Sequence, residues 1–160
     1  MAISAGWRLY QLRVLSFFGN DNPKNNMQVV NKNLPVAIRV KSVGIDLPVV
    51  ESSIVNGVWE IPPGGAGHLN TSSGIGLGNM VIYAHNKRSL FGPIRWIKKD
   101  SPIEIIGKDG NIYRYQVTET KEVSSDKIEY VLPKNDEVLT LYTCTGLFDS
   151  KRFIVLAKKI

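Results

Sequence analysis

From Pro35 onward the chain is cut into short apolar runs by Gly, Pro, Asn and Asp, and few of those runs hold a helical period. Short strands bounded by turn residues at even spacing build an all-β domain, and such a domain removes its exposed edges most completely by closing on itself. Alternation in Pro35-Val36-Ala37-Ile38-Arg39-Val40, followed after Gly44 by Ile45-Asp46-Leu47-Pro48-Val49-Val50, predicts two antiparallel strands. Asn79-Met80-Val81-Ile82-Tyr83-Ala84 reads as a buried strand that delivers His85 at its end. Pro102-Ile103-Glu104-Ile105-Ile106 and the run from Ile112 to Thr118 flank Lys108-Asp109-Gly110-Asn111, whose Asp-Gly pair signals a hairpin. Residues 119–122 are expected to continue into a further strand and residues 124–132 into a connection ending at Pro133; residues 137–143 and 152–158 supply the last two strands. Residues 89–97 predict a short helix or turn with Leu90, Phe91, Ile94 and Ile97 facing inward. Residues 59–78, dense in Gly and Pro, read as a long surface excursion in place of a regular element. The expectation is a mainly β fold, a closed or nearly closed barrel.

The chain has 160 residues, 43% of them apolar, enough for one domain with a real core. Residues 19–33, rich in Asn and carrying Pro23, read as a linker, so the division expected is an N-terminal helix and linker over 1–33 and a barrel over 34–160. Within residues 1–18, Trp7, Tyr10, Val14, Phe17 and Phe18 fall at helical spacing, which suits either a helix packed on the domain or one lying at a membrane interface. Arg8, Gln11 and Arg13 interrupt the segment, which is too short and too charged to span a bilayer, and it carries no small-residue cleavage site. Either the protein is not exported through its own N-terminus, or its anchor precedes this segment. A net charge of +6 favours anionic surroundings, but the dense basic pairs are only Lys98-Lys99 and Lys158-Lys159, with no interleaved aromatics to stack bases; no nucleic-acid partner is expected.

One cysteine cannot close an internal disulfide, so Cys144 is either a buried filler or a working thiol. His68, His85 and Cys144 are the only soft ligands and lack CxxC or HxxxH spacing, and Glu104, Glu119, Glu122, Asp126 and Glu129 match no EF-hand; no metal and no cofactor are expected. Three reactive residues stand at strand ends: His85 after Val81-Ile82-Tyr83-Ala84, Cys144 after Leu139-Thr140-Leu141-Tyr142-Thr143, and Arg152 before Phe153-Ile154-Val155-Leu156-Ala157. A barrel can bring such ends to one rim, where a thiol, an imidazole and a guanidinium suit acyl transfer. His68, in the Gly-rich excursion and without a supporting strand, competes with His85 as general acid.

These motifs carry a resemblance. Thr140-Leu141-Tyr142-Thr143-Cys144 matches the Thr-Leu-x-Thr-Cys motif of sortases, Val81-Ile82-Tyr83-Ala84-His85-Asn86 is similar to their histidine strand, and Arg152-Phe153-Ile154-Val155-Leu156-Ala157 to the closing strand that opens with the essential arginine. Leu90-Phe91, the hairpin over 107–115 and Gly78-Asn79 follow the same pattern, and the resemblance covers residues 34–160. It implies a closed eight-stranded sortase-type barrel with short helices and long loops, and a cysteine transpeptidase. Cys144 would attack a backbone carbonyl of a sorting-signal peptide related to Leu-Pro-x-Thr-Gly to give a thioacyl enzyme, and an amine from a cell-wall precursor or a pilin lysine would resolve it. His85 would act as general acid and base, Arg152 would hydrogen-bond substrate and oxyanion, and the backbone N–H of Thr145 would supply a second donor. Thr143 is a candidate to orient substrate or the Arg152 head group, against plain strand packing; Asn86 is a candidate to fix the imidazole or, the favoured reading, to hold a turn; Tyr142 reads as a filler. Specificity is expected to depend on the loops over 124–134 and 60–78. The resemblance also implies a place on the outer face of the bacterial cytoplasmic membrane, with association through the N-terminus. Two other readings stand beside it: a non-catalytic barrel that binds peptides or anionic cell-wall polymers, and a hydrolytic cysteine peptidase on the same scaffold.

Overall fold

Antiparallel pairing begins where the alternation predicts it. The computed structural model describes residues 32–160 apart from Gly57, so the readings made for residues 1–31 lie outside the described residues. Strand β1 (Pro35–Val40) turns through a short 3₁₀ helix at Lys41–Val43 and Gly44, at φ 70°, into β2 (Ile45–Ser52), with Ile38 opposite Leu47. Two short strands, β3 (Ile54–Val55) and β4 (Val58–Trp59), form a separate hairpin. The other strands are β5 (Ala66–Leu69), β6 (Asn79–Tyr83), β7 (Pro102–Gly107), β8 (Ile112–Ser124), β9 (Val138–Thr145) and β10 (Lys151–Lys159). Eight of the ten close a barrel in the order β1-β2-β5-β6-β9-β10-β8-β7.

Two expectations are corrected here. The excursion over 59–78 contains a barrel strand: β5 pairs in parallel with β2 and antiparallel with β6, and all four of its residues are buried. Its Gly67 hides the strand in the sequence and permits it in the fold, because a Cβ there would lie 2.2 Å from Ser52 Oγ. Residues 119–122 do not start a new strand; β8 runs unbroken for 13 residues because β10 pairs along it from Lys159 opposite Tyr115 to Lys151 opposite Ser124, with a bulge between Leu156 and Ala157. The segment over 89–97 forms a 3₁₀ helix at Gly92–Trp96 and buries Leu90, Phe91, Ile94 and Ile97, as its spacing predicts.

Alternation sorts the side chains into two apolar clusters. Ile38, Val40, Leu47, Met80, Ile82, Ile103, Ile105, Leu139, Leu141, Val155 and Ala157 fill the barrel. Trp59, Leu69, Val81, Tyr83, Val131, Tyr142 and Ile154 form a second cluster with the opposite parity on β6, β9 and β10. Strands β6 and β9, paired in parallel, are therefore covered on both faces, which is why their sequences read as nearly continuous apolar runs. Asn79 holds the cover in place: Thr140 Oγ1 donates to its Oδ1 (2.7 Å), and its Nδ2 donates to the carbonyls of Tyr130 (2.8 Å) and Leu132 (2.9 Å).

Candidate active site

The second cluster ends in reactive groups. Cys144 and Arg152 are Cα partners across β9 and β10, so their side chains leave the sheet on one face. Tyr83 and Tyr142 are Cα partners across β6 and β9, and period-two alternation along β9 places Tyr142 on the same outer face as Cys144; His85 follows two residues past the end of β6. Trp59 from the β3–β4 hairpin packs against both tyrosines, with ring centroids 5.0 Å from Tyr83 and 6.0 Å from Tyr142. The Tyr83 ring meets the His85 imidazole edge-on at 6.1 Å.

Cys144 is half-buried, and its sulfur lies 2.9 Å from the Tyr83 hydroxyl. Burial pushes the thiol up from its ordinary range, while the Arg152 charge and the Tyr83 hydrogen bond pull it down. Burial dominates, so the resting sulfur at neutral pH is mainly the thiol. Among the described residues, no hydrogen bond joins His85 to Cys144; its backbone carbonyl accepts from the N–H groups of Lys87 (2.8 Å) and Phe91 (3.1 Å), which turns the chain away from the end of β6.

Arg152 is held from two sides. Its Nε donates to the Tyr142 hydroxyl at 2.9 Å, and its Nη1 donates to the carbonyls of Asp149 and Lys151. The Tyr142 hydroxyl, pushed up to about 12 by burial, stays neutral and serves as acceptor. Tyr142 is thus more than a filler. Asp149 lies in a tight turn with Phe148, both at positive φ (57° and 54°), which aims the Asp149 carbonyl back at the guanidinium. Among the described residues Nη2 makes no hydrogen bond.

The remaining sequence candidates fall in different places. Thr143 is buried, and its hydroxyl donates to the Ala84 carbonyl at 2.7 Å, not to Arg152; it ties β9 to the backbone that carries His85. Thr145 is buried, with its hydroxyl 3.4 Å from Glu122 Oε2. Asn86 accepts from Arg95 Nη2 at 2.9 Å, on the wall of a depression of about 580 Å³ shared with Arg88, Gly92, Pro93 and Trp96, and so holds local structure next to the histidine. His68 does have a supporting strand, β5. It is fully buried there, with Nδ1 2.7 Å from Glu51 Oε1 and Nε2 2.9 Å from the Ser73 carbonyl, a structural histidine apart from the thiol's neighbours. Of the acidic residues weighed for calcium, Glu104, Glu119 and Glu122 pair with Lys41, Lys121 and Lys151. Tyr83 was not singled out by the sequence; its position two residues before the histidine is the signal that points to it.

A Sortase domain model matches residues 38–160, which includes every strand of the barrel from mid-β1 onward and all three reactive residues. The chain belongs to the sortase family. Sortases are cysteine transpeptidases, and Cys144 is the single cysteine of this chain. It is 33% identical to Sortase A of Bacillus anthracis over 134 residues, 81% of this chain and 61% of that protein. It is 29% identical to Sortase A of Listeria monocytogenes over 126 residues, 76% of this chain and 54% of that protein. The chain thus spans less than two thirds of the length of these relatives. The solved Listeria monocytogenes sortase A superposes with a TM-score of 0.66 at 29% identity, covering 80% of this chain and 88% of that one. Sortase C from Clostridium perfringens, at 19% identity, superposes with a TM-score of 0.67 over 99% and 92%, a likeness of fold.

Proposed function

We propose that this protein is a cysteine transpeptidase that cleaves a sorting-signal peptide and transfers its acyl part to an amine, in the service of surface-protein attachment or pilus assembly. The observation that supports it best is the pairing of Cys144 with Arg152 across adjacent strands, beside Tyr83, whose ring meets the His85 imidazole edge-on. His85 takes the Cys144 proton, and the thiolate attacks the scissile carbonyl; the S–C bond forms and the carbonyl electrons move to oxygen. Arg152, with Nε and Nη1 held by Tyr142 and the 149–151 backbone, presents Nη2 to that oxyanion and to the substrate backbone. The backbone N–H of Thr145 lies next in the chain to the nucleophile as a second donor. Collapse breaks the C–N bond, and His85 protonates the departing amine. His85 then takes the proton of the incoming amine as it displaces Cys144 and forms the new amide. The acceptor is an amine of a cell-wall precursor or a pilin lysine, and the enzyme works on the outer face of the cytoplasmic membrane. No helix among the described residues is long and apolar enough to cross a membrane.

The test is product analysis with a Leu-Pro-x-Thr-Gly-type peptide, with and without an added amine. Transfer product that needs the amine, and that vanishes in Cys144→Ala, is expected; hydrolysis product alone in both conditions would replace transfer by a peptidase reading, and turnover by Cys144→Ala would overturn the mechanism.

A further inference from the structure

The hydroxyl nearest the reactive sulfur belongs to a residue outside the Cys–His–Arg set. Tyr83 Oη lies 2.9 Å from Cys144 Sγ, within reach of a hydrogen bond to sulfur. Packing fixes the ring there independently of that bond: Trp59 covers it at 5.0 Å, Tyr142 at 5.4 Å, and only 5% of the residue is exposed. Cys144 therefore meets Tyr83 from β6, Tyr142 from its own strand, Arg152 from β10 and Asp149 from the following turn, with His85 beyond the Tyr83 ring. Of these, the Tyr83 O–H is the group in hydrogen-bond contact with the sulfur.

We propose that Tyr83 is a further catalytic residue: its phenolic O–H donates to Cys144 Sγ and holds the sulfur as the thiolate that attacks. The proposal rests on the transpeptidase reading and adds a residue to it. Burial and the neighbouring sulfur push the phenol far above its ordinary range, so Tyr83 stays protonated and toward a thiolate is a donor only. A hydrogen bond to a charged partner is stronger than one between neutral groups, so the contact favours the thiolate over the thiol. When the S–C bond forms, the sulfur loses its charge and becomes a poor acceptor. The phenol stabilises the nucleophile before attack and releases it on acylation.

The experiment follows the rate of Cys144 alkylation by iodoacetamide against pH, in the unmodified chain and in Tyr83→Phe, which keeps the ring and removes only the hydroxyl. The midpoint of the profile is expected to rise by about one pH unit, so that about tenfold less thiolate is present at a given pH below it. In peptide transfer, the same variant should lose kcat/KM at neutral pH and regain most of it as pH is raised through the new midpoint; a packing defect would lower the rate at every pH. Should Tyr83→Phe fail to fold, 3-fluorotyrosine placed at position 83 alone strengthens the donor and is expected to move the midpoint down. An unchanged midpoint, or a shift opposite in direction, overturns the proposal. Alkylation needs no peptide, so this outcome is independent of whether the protein transfers acyl groups.

Discussion

At the scale of single residues, the decisive contest is over the charge of one sulfur. Burial disfavours the Cys144 thiolate and the Arg152 guanidinium favours it, with burial winning. Arg152→Ala removes the favourable charge and leaves the burial, so the alkylation midpoint is expected to move further up. In the proposed mechanism it also removes an oxyanion donor, and kcat is expected to fall by about 10²–10³; a midpoint that falls, or a kcat within a factor of about three of the unmodified chain, would contradict the role given to this side chain. His85, Cys144 and Arg152 were candidates in the sequence because each ends or begins an apolar run in a quoted motif. Tyr83 and Tyr142 were not, because a sequence shows which residues share a strand face but not that β6 lies beside β9, a pairing across more than fifty residues of chain. Once that pairing is known, the two tyrosines fall opposite each other, one beside the sulfur and one beside the guanidinium.

At the scale of elements, the short strand β5 joins the first hairpin to the site-bearing strands, and its sequence signal is weak. Ala66-Gly67-His68-Leu69 has neither β-branched residues nor clean alternation, and Gly/Pro-rich neighbours disguise it as loop. The structure needs a glycine there for close approach: Gly67 faces Ser52 at a distance no Cβ tolerates. Gly67→Ala is expected to destabilise the fold by about 1–3 kcal/mol through overpacking between β2 and β5, seen as a lowered Tm; an unchanged Tm would show that the strand yields at no cost. The hairpin over 107–112 was legible by contrast, because its Asp-Gly pair is a local signal, and Gly110 takes the positive φ of 83° that such a turn uses.

At the scale of the whole molecule, closure of the barrel leaves β6 and β9 covered on both faces, packed by the interior on one and by the Trp59 cluster on the other. Native-state hydrogen exchange is expected to be slowest at Met80, Val81, Ile82, Leu139, Thr140 and Leu141, and fast in the exposed turn over 146–150 beside the reactive groups. Uniform protection across both would contradict a rigid platform carrying a mobile rim. Closure itself was legible from many evenly spaced strands with few helices, whereas strand order was not, since β2–β5 and β6–β9 are parallel neighbours joined by long connections.

The central claim is that Cys144 carries the acyl group between two amines. Intact-mass measurement of the full chain mixed with a sorting-signal peptide tests it most directly. Without an amine, the account predicts a thioester adduct that maps to Cys144 and builds up as pH rises; on adding an amine the adduct disappears as an amide product forms. No adduct under conditions where the peptide is cleaved, or an adduct that persists in Cys144→Ala, would contradict it.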